Sequence, residues 1–331
     1  MSTLKEVAKI CGVTPATVSY IMNGRHLDRM LPETIQRVRA AAEKLDYRPH
    51  ASARSLVTGR SETLGVYCPG HLDDVWGDSY MVDVLRGIFY QSALSHYAVQ
   101  VATDDLLDDN RRQRQPAVDG WVSVMARSAV PSFIKECGSV IYLDPFKRLG
   151  GATCFWADNV KAGSVAGAFC RDKGWKTAFV LHESLKESPA SYQERWQGVR
   201  SAFEGKKKLL HSEPLILPIA DDSNPSKQKS AQFYQRVKDE KFEALIATTD
   251  LLSCRILRDS RKLGWRIPED LRLVGIDNLL QSRLMSPSIT TVDIGALDLG
   301  RQAAQHILNQ LEKKSGEFHP PEPRLIERET T

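Results

Sequence analysis

The first 24 residues show a hydrophobic pattern typical of two short helices. Apolar positions recur every three or four residues, in the first run at Leu4, Val7, Ala8 and Cys11 and in the second at Val18, Ile21 and Met22. Thr3 and Glu6 have the spacing of a capping box, in which each side chain accepts a hydrogen bond from a backbone amide at the helix start. Gly12 ends the first helix, Thr14 is a predicted N-cap of the second, and Pro15 suits the first helical position.

The inward positions of the second helix leave its polar and small residues facing outward or on the flank. This set of candidate contact residues is Thr14, Pro15, Ala16, Thr17, Ser19, Tyr20 and Asn23. Two short helices with a glycine turn, the second exposing hydrogen-bonding side chains, have the helix-turn-helix layout. An ordinary helical hairpin fits this pattern equally well.

After a third predicted helix, which runs from Pro32 to about Lys44, the pattern changes at Glu62 to short apolar strands alternating with longer helices. The predicted strands are 63–68, 98–103, 120–125, 139–144, 153–158, 177–182, 243–248 and 271–277, and the predicted helices include 80–96, 159–173, 191–204, 226–239, 250–263 and 295–312. This alternation predicts parallel sheets with helices on both faces. The strands are too many for one small sheet, so we expect two α/β lobes with a cleft between them.

Two stretches at a characteristic spacing resemble the LacI/GalR family of bacterial transcription regulators. They are VAKICGVTPATVSYIMNG at residues 7–24 and YRPHASARSLVTGRSETLGV at residues 47–66. The resemblance implies a helix-turn-helix domain over 1–48, a hinge helix and linker over 49–61, and a two-lobed effector-binding and dimerisation domain over 62–331. The implied fold of the last part is that of periplasmic binding proteins. In the hinge, the resemblance implies that Leu56 is an apolar wedge in the DNA minor groove and that Ala53 allows close approach.

The charge distribution changes the meaning of an overall formal charge of +4. Residues 1–60 contain ten Lys/Arg and five Asp/Glu, a net of +5, which leaves −1 for the rest of the chain. Confinement of the excess positive charge to one end is expected where that end contacts a phosphate backbone.

Candidate ligand-binding residues follow the predicted strands, because ligands of open α/β sheets bind at the carboxyl ends of strands. The post-strand carboxylates are Asp104, Asp144, Asp158, Asp250 and Asp277, with Arg195 early in a helix. Carboxylates and a guanidinium suit a small polyhydroxylated ligand. The family resemblance of ERWQGVR, VGID, ATTD and WADN implies that Arg195, Asp277, Asp250 and Asp158 bind the effector. Thr249 stands where the family usually has Asn.

Each of these assignments has a structural alternative. Arg195 and Asp277 could form a structural salt bridge, and Asp250 and Asp158 could be helix N-caps, since they follow strands directly. Trp76, in the loop after the first strand, could stack on a sugar face or anchor the loop. His71 and Asp73 in that loop lack a second His or Cys at ligand spacing, so we predict no metal site.

The sequence also argues against several other classes of protein. It contains no GxSxG, Walker, HExxH or strand-associated GxGxxG motif, so we predict neither an enzyme nor a cofactor. Six scattered cysteines without a CxxC pair indicate reduced thiols. No apolar run is long enough to span a bilayer, and we expect a cytoplasmic, nucleoid-associated bacterial protein without membrane contact.

Together these observations predict a sequence-specific DNA-binding repressor. We expect a homodimer or tetramer on a palindromic operator of double-stranded DNA, controlled by a sugar or sugar derivative in the cleft between the lobes. Two alternatives remain open at this stage. One is a small-molecule receptor or sugar-binding-fold enzyme without DNA binding, and the other is a DNA-binding regulator that is independent of an effector.

Overall fold

The chain forms two compact units, Met1–Glu62 and Thr63–Thr331. The computed structural model describes residues 3–22, 24, 26–47, 59–107, 117–125, 130–136, 138–147, 149–182, 189–218 and 224–331. Three residues assigned to DNA contact, Asn23, Ala53 and Leu56, lie outside the described residues, as does most of the expected hinge. The domain limits at residues 48 and 61 therefore stay predictions.

The first unit is all-helical. Its helices are α1 (Leu4–Cys11), α2 (Pro15–Met22) and α3 (Pro32–Lys44), with a 3₁₀ turn at Leu27–Arg29. The capping box at Thr3 is confirmed: its backbone amide donates to Glu6 Oε2 at 2.7 Å, and the Glu6 amide donates to the Thr3 hydroxyl at 3.3 Å. Thr14 caps α2, since its hydroxyl accepts from the Thr17 amide at 3.1 Å.

The predicted apolar positions form the core of this unit. It contains the buried residues Val7, Ala8, Cys11, Val18, Ile21, Val38, Ala42 and Tyr47. Because two helices of eight residues are too short to be stable alone, burial of these side chains between the three helices supplies the stability that local propensity cannot.

The second unit alternates strands and helices. In chain order its elements are β1 (Thr63–Cys68), α4 (Leu72–Gly77), α5 (Ser79–Leu94), β2 (Ala98–Thr103), β3 (Gly120–Val124), α6 (Ser132–Glu136), β4 (Val140–Leu143), β5 (Cys154–Phe155), α7 (Asn159–Asp172), β6 (Thr177–Leu181), α8 (Ala190–Ala202), β7 (Leu215–Ile216), α9 (Asn224–Asp239), β8 (Ala244–Ala247), α10 (Asp250–Lys262), β9 (Arg272–Ile276), α11 (Leu280–Leu284), β10 (Thr290–Asp293), α12 (Ala296–Leu311) and β11 (Arg324–Ile326).

The strands form two sheets, one in each lobe. The first has the order β2-β1-β3-β4-β5 and is parallel throughout; the second has the order β11-β10-β9-β8-β6-β7 and is parallel except for the pair β10 and β11. Central strands such as β3 are buried at every position, as expected when helices cover both faces of a parallel sheet. The expectation of two α/β lobes with parallel sheets is confirmed.

The chain passes between the lobes three times. It leaves the first sheet after β5, returns after β10 to form α12, which packs on α5, and ends in β11 at the edge of the second sheet. The carboxyl ends of the strands of both lobes therefore contribute loops to one cleft.

The eight predicted strands are all present, although β5 is shorter than the predicted strand 153–158. It ends at Phe155 because the next residues serve other purposes: the Ala157 amide donates to the Asp144 carboxylate, and Asp158 caps α7. The sequence patterns did not predict β7 and β10. Among the described residues, no helix is long and apolar enough to cross a membrane.

Candidate functional site

The outward face of α2 is the candidate contact surface of the first unit. Thr14, Pro15 and Ala16 are exposed, and Tyr20 is 42% exposed with its ring edge against His26 at a centroid distance of 5.1 Å. Thr17 and Ser19 are half-buried on the flanks of the same helix. The structure thus presents these predicted residues together, at the start and along one side of a capped helix.

In the second unit, a cleft with a cavity volume of about 140 Å³ lies where strands of both sheets end. Residues one or two positions after β3, β4, β6, β8 and β9 reach this space: Met125, Asp144, His182, Thr249 and Asp277 line it. Met125, Asp144 and Asp277 have positive φ angles of 52°, 41° and 125°. Non-glycine residues rarely adopt this region, and such backbone strain is concentrated at functional sites.

Arg195 and Asp277 form a buried ion pair in the wall of the cleft. Arg195 Nη2 donates to Asp277 Oδ1 at 2.8 Å, and both side chains are 5% exposed. The other two guanidinium nitrogens donate to Asn159 Oδ1 at 2.9 Å and to the Thr248 carbonyl at 2.6 Å. Burial raises the pKa of the Asp277 carboxyl and outweighs the opposing attraction of Arg195.

Two glycines position Arg195. A Cβ on Gly163 of α7 would lie 1.9 Å from the Arg195 carbonyl oxygen, and one on Gly198 of α8 would lie 1.9 Å from the Val160 carbonyl oxygen. The two helices can therefore cross backbone to backbone only because both positions lack a side chain. This close crossing sets the depth at which Arg195 enters the cleft.

Asp144 is the second carboxylate of the wall and lies in the other lobe. It accepts a hydrogen bond from the Tyr80 hydroxyl and one from the Ala157 amide at 3.3 Å. Burial raises its pKa to about 6, although both hydrogen bonds oppose that shift. The pKa of Tyr80 is raised well above its usual value by burial and by the neighbouring Asp144.

Asp250 is placed away from the cleft, which differs from the expectation for this residue. It is completely buried: one carboxylate oxygen accepts from the Leu279 amide at 2.8 Å and the other from the Thr291 hydroxyl at 2.5 Å. Asp250 thereby holds the loop that carries Asp277. Its neighbour Thr249, which caps α10 through a 3.2 Å bond from the Leu252 amide, lines the cleft instead.

Asp158 and Trp76 also lie outside the described lining of the cleft. Asp158 is exposed and caps α7 by accepting from the Lys161 amide at 2.9 Å, which matches the helix-cap alternative. Trp76 is 51% exposed in α4. Their assignment to the effector stays a prediction without geometric support.

Sequence reasoning missed most of the remaining lining. Tyr80, Phe146 and Tyr192 contribute aromatic rings, and Asp78 contributes a carboxylate that also caps α5. His182 brings a buried Nδ1 without a hydrogen-bond partner among the described residues, and burial, assisted by Arg255, lowers its pKa. The position after a strand identified Asp144 and could also have found His182, whereas the aromatic residues carry no such signal.

The described residues contain no group of three or more His, Cys, Asp or Glu side chains that could hold a metal ion. Aromatic walls, three carboxylates (Asp78, Asp144 and Asp277) and one guanidinium give the cleft the character of an organic-ligand site.

Comparison with known proteins gives matches to both units. Residues 3–50 match the family described as bacterial regulatory proteins, lacI family, and residues 168–331 match the periplasmic binding protein-like domain. The HTH-type transcriptional regulator MalR of Streptococcus pneumoniae is 28% identical, with 92% of each chain covered.

Two solved structures share the fold. The lac repressor dimer bound to operator and the anti-inducer ONPF has a TM-score of 0.73 at 18% identity, covering 99% of this chain and 98% of that one. The transcriptional regulator CelR–cellobiose complex has a TM-score of 0.63 at 22% identity, with both chains fully covered. The chain therefore joins a helix-turn-helix domain of the lacI family of bacterial regulatory proteins to a periplasmic-binding-protein-like domain, which is the architecture of a DNA-binding transcriptional regulator.

Proposed function

We propose that this regulator is a dimeric repressor whose operator affinity is set by a small polyhydroxylated molecule bound in the cleft. The observation that carries the proposal is the pairing of Arg195 and Asp277 at the strand ends of one lobe, facing Asp144 of the other. A ligand that contacts both walls favours the closed arrangement of the lobes, and any differential affinity for that arrangement shifts the equilibrium.

The DNA contact is assigned to the exposed face of α2. Ala16 can touch a thymine methyl group, and the Tyr20 hydroxyl can bond a base edge or a phosphate. Thr14, Pro15, Thr17 and Ser19 approach the backbone around the helix start, where amides favour phosphate. Asn23 completes the set at the end of the helix, and the net charge of +5 over residues 1–60 supplies the non-specific attraction.

A second copy of the chain would complete the binding unit, because paired helix-turn-helix domains read the two halves of a palindrome. Large apolar side chains are exposed on both lobes. Tyr90 and Leu94 on α5 are 54% and 59% exposed, and Leu280 and Leu284 on α11 are 58% and 74% exposed. Such side chains mark protein–protein contacts. We propose a homodimer, and a sedimentation experiment would distinguish it from a tetramer.

In the segment that joins the two units we assign Leu56 as the minor-groove wedge and Ala53 as the point of close approach, on the strength of the family resemblance alone. Leu56→Ala should then weaken specific operator binding and leave non-specific binding unchanged. Since the partner is chromosomal DNA, we also propose a cytoplasmic, nucleoid-associated protein. The chain's relatives are regulators, and we infer that it has no catalytic activity.

Operator binding tests the first half of the proposal. Full-length protein would be titrated by fluorescence anisotropy onto its own upstream DNA and onto a scrambled duplex of equal length. We expect tighter binding to the upstream DNA and a linear fall of log K with log salt for both. Equal affinity for the two duplexes, or affinity independent of ionic strength, would refute DNA reading by this unit.

Effector binding tests the second half. A thermal-shift screen of sugars, sugar derivatives, nucleosides and purines would identify ligands that raise the melting temperature. Asp277→Asn should abolish that rise, whereas Asp158→Asn, a cap-preserving change outside the cleft, should retain it. A rise that survives Asp277→Asn places the ligand elsewhere, and no ligand from any class indicates an effector-independent regulator.

A further inference from the structure

The charges on the described residues that line the cleft do not balance. Among the described lining residues, Arg195 is the one side chain that is positive at neutral pH, and it is paired with Asp277. His182 is neutral there, because burial lowers its pKa. The described lining therefore carries three carboxylates, Asp78, Asp144 and Asp277, against one guanidinium, whose charge opposes the rise in the pKa of Asp144 but whose hydrogen bonds go elsewhere.

The Arg195 guanidinium already makes hydrogen bonds within the protein. Each of its three guanidinium nitrogens donates to an internal acceptor, and the resulting bonds tie Asn159 of α7, the end of β8 and Asp277 together. An anionic ligand would have to share this guanidinium with Asp277, and a phosphate or carboxylate entering beside Asp277 and Asp144 would meet like charge.

Asp144 is the carboxylate of this set that has no charged hydrogen-bond partner among the described residues. Its two oxygens accept from a phenol and from a backbone amide, both of which are neutral donors. Buried charges in proteins are normally paired, because an isolated carboxylate is costly to desolvate. No described cluster could bring a metal ion as the counter-charge.

The surroundings of Asp144 suit an organic cation. The rings of Tyr80, Phe146 and Tyr192 line the same cleft, and Tyr192 already lies 6.0 Å from the Arg195 guanidinium in a cation–π arrangement. Aromatic faces beside a carboxylate form the usual environment of a bound ammonium group.

We propose that the effector carries a positively charged amine seated against Asp144: an aminated polyhydroxy compound such as an amino sugar, rather than a phosphorylated or acidic sugar. This inference rests on the proposed function and names the ligand class of the same cleft. Hydroxyl groups of the ligand would bond Asp277 and Asn159, while the ammonium group supplies the missing counter-charge between the lobes.

Matched pairs of compounds test the inference. Full-length protein would be titrated by calorimetry, in a buffer without primary amines, with glucosamine against glucose, galactosamine against galactose, and tris(hydroxymethyl)aminomethane against pentaerythritol, its neutral counterpart. Glucose 6-phosphate and gluconate represent anionic ligands. We expect at least one amine to bind about 10-fold or more tightly than its neutral partner, the range expected for a hydrogen bond to a charged group, and the anions to bind more weakly still.

Two variants locate the effect. Asp144→Asn keeps the shape and removes the charge, so it should erase the preference for the amine over its neutral partner. Asp158→Asn should keep the preference intact. The wild-type comparison alone decides the question if the Asp144 variant fails to fold.

The remaining outcomes are separable. A neutral sugar that binds more tightly than its amine, and that depends on Asp277, overturns the inference and leaves the proposed function standing. A phosphorylated ligand that binds best overturns it equally. A panel in which no compound binds overturns both the inference and the polyhydroxylated effector.

Discussion

The crossing of α7 and α8 gives a quantitative prediction for Gly198→Ala. A Cβ at this position would lie 1.9 Å from the Val160 carbonyl oxygen, 2.7 Å from the Ser164 amide nitrogen and 2.9 Å from the Val160 carbonyl carbon. All three atoms are backbone, so no rotamer change can relieve the contact. Since carbon and oxygen approach comfortably at about 3.3 Å, the helices would have to separate by more than about 1 Å.

Two opposing effects determine the size of the change. Alanine favours a helix over glycine by about 1 kcal/mol. Overpacking costs about 1–3 kcal/mol where side chains can give way, and more where backbone must move. The contact here is with backbone on every side, so we expect a net destabilisation of about 2 kcal/mol, which lowers the melting temperature by roughly 4–8 °C in a unit of this size.

The assay is a thermal melt of the full-length protein, with Gly77→Ala as the matched control. Gly77 is also helical, but nothing lies within 4 Å of an added Cβ, so this variant should melt at or slightly above the wild-type temperature. Because α8 also carries Arg195, Gly198→Ala should weaken effector binding as well. If the two alanine variants melt at the same temperature, the close crossing does not hold the site.

Three further predictions use the same logic. Burial raises the pKa of Asp144 to about 6, so this carboxyl ionises at lower pH in the unfolded chain than in the folded one, and the folded state loses stability as pH rises from about 4 to 6. The free energy of unfolding of Asp144→Asn, relative to wild type, should therefore rise by at most about 3 kcal/mol between pH 4 and pH 7 in denaturant melts. A difference that does not change with pH would contradict the burial. Tyr20→Ala should reduce the ratio of operator to scrambled-DNA affinity more than it reduces scrambled-DNA affinity in anisotropy titrations; an equal loss on both would exclude a base-reading role. Thr3→Ala removes the side-chain half of the capping box on α1 and should destabilise the first unit by about 1 kcal/mol in amide exchange, with protection of the second unit as the internal control.

The sequence predicted the elements of the fold wherever apolar periodicity was strong, and failed where polar residues are buried. β10 has the sequence TTVD, which looks like a loop, yet Thr290 and Thr291 are fully buried. The Thr291 hydroxyl bonds Asp250, and the Thr290 amide donates to the Thr330 hydroxyl at 2.9 Å. Residues distant in the sequence form hydrogen bonds with these buried polar groups, so no local pattern could reveal the strand.

The candidate site divides in the same way. The position after a strand identified Asp277, and a sequence motif identified Arg195. The structure brings these two residues together in the cleft. Sequence reasoning did not distinguish these two residues from Asp158, which caps a helix at the surface. Tyr80 reaches Asp144 across 64 positions of sequence, a contact that only the folded sheet creates.

The contrast between Asp250 and Asp277 explains why one sequence rule gives two outcomes. Both residues follow a strand of the same sheet, and both carboxyls are buried with pKa values raised by desolvation. Asp250 receives hydrogen bonds from Leu279 and Thr291, and the nearby positive charge of Arg328 also opposes the rise in its pKa, so its role is complete within the protein. Asp277 receives the Arg195 guanidinium at the cleft wall, where a ligand hydroxyl can join the pair. The position of its hydrogen-bond partner therefore decides which carboxylate is available to a ligand. Replacing that partner of Asp277 should affect the two sites differently: Arg195→Met should abolish effector binding but leave the loop held by Asp250 in place. Amide exchange at Leu279 would report the second effect.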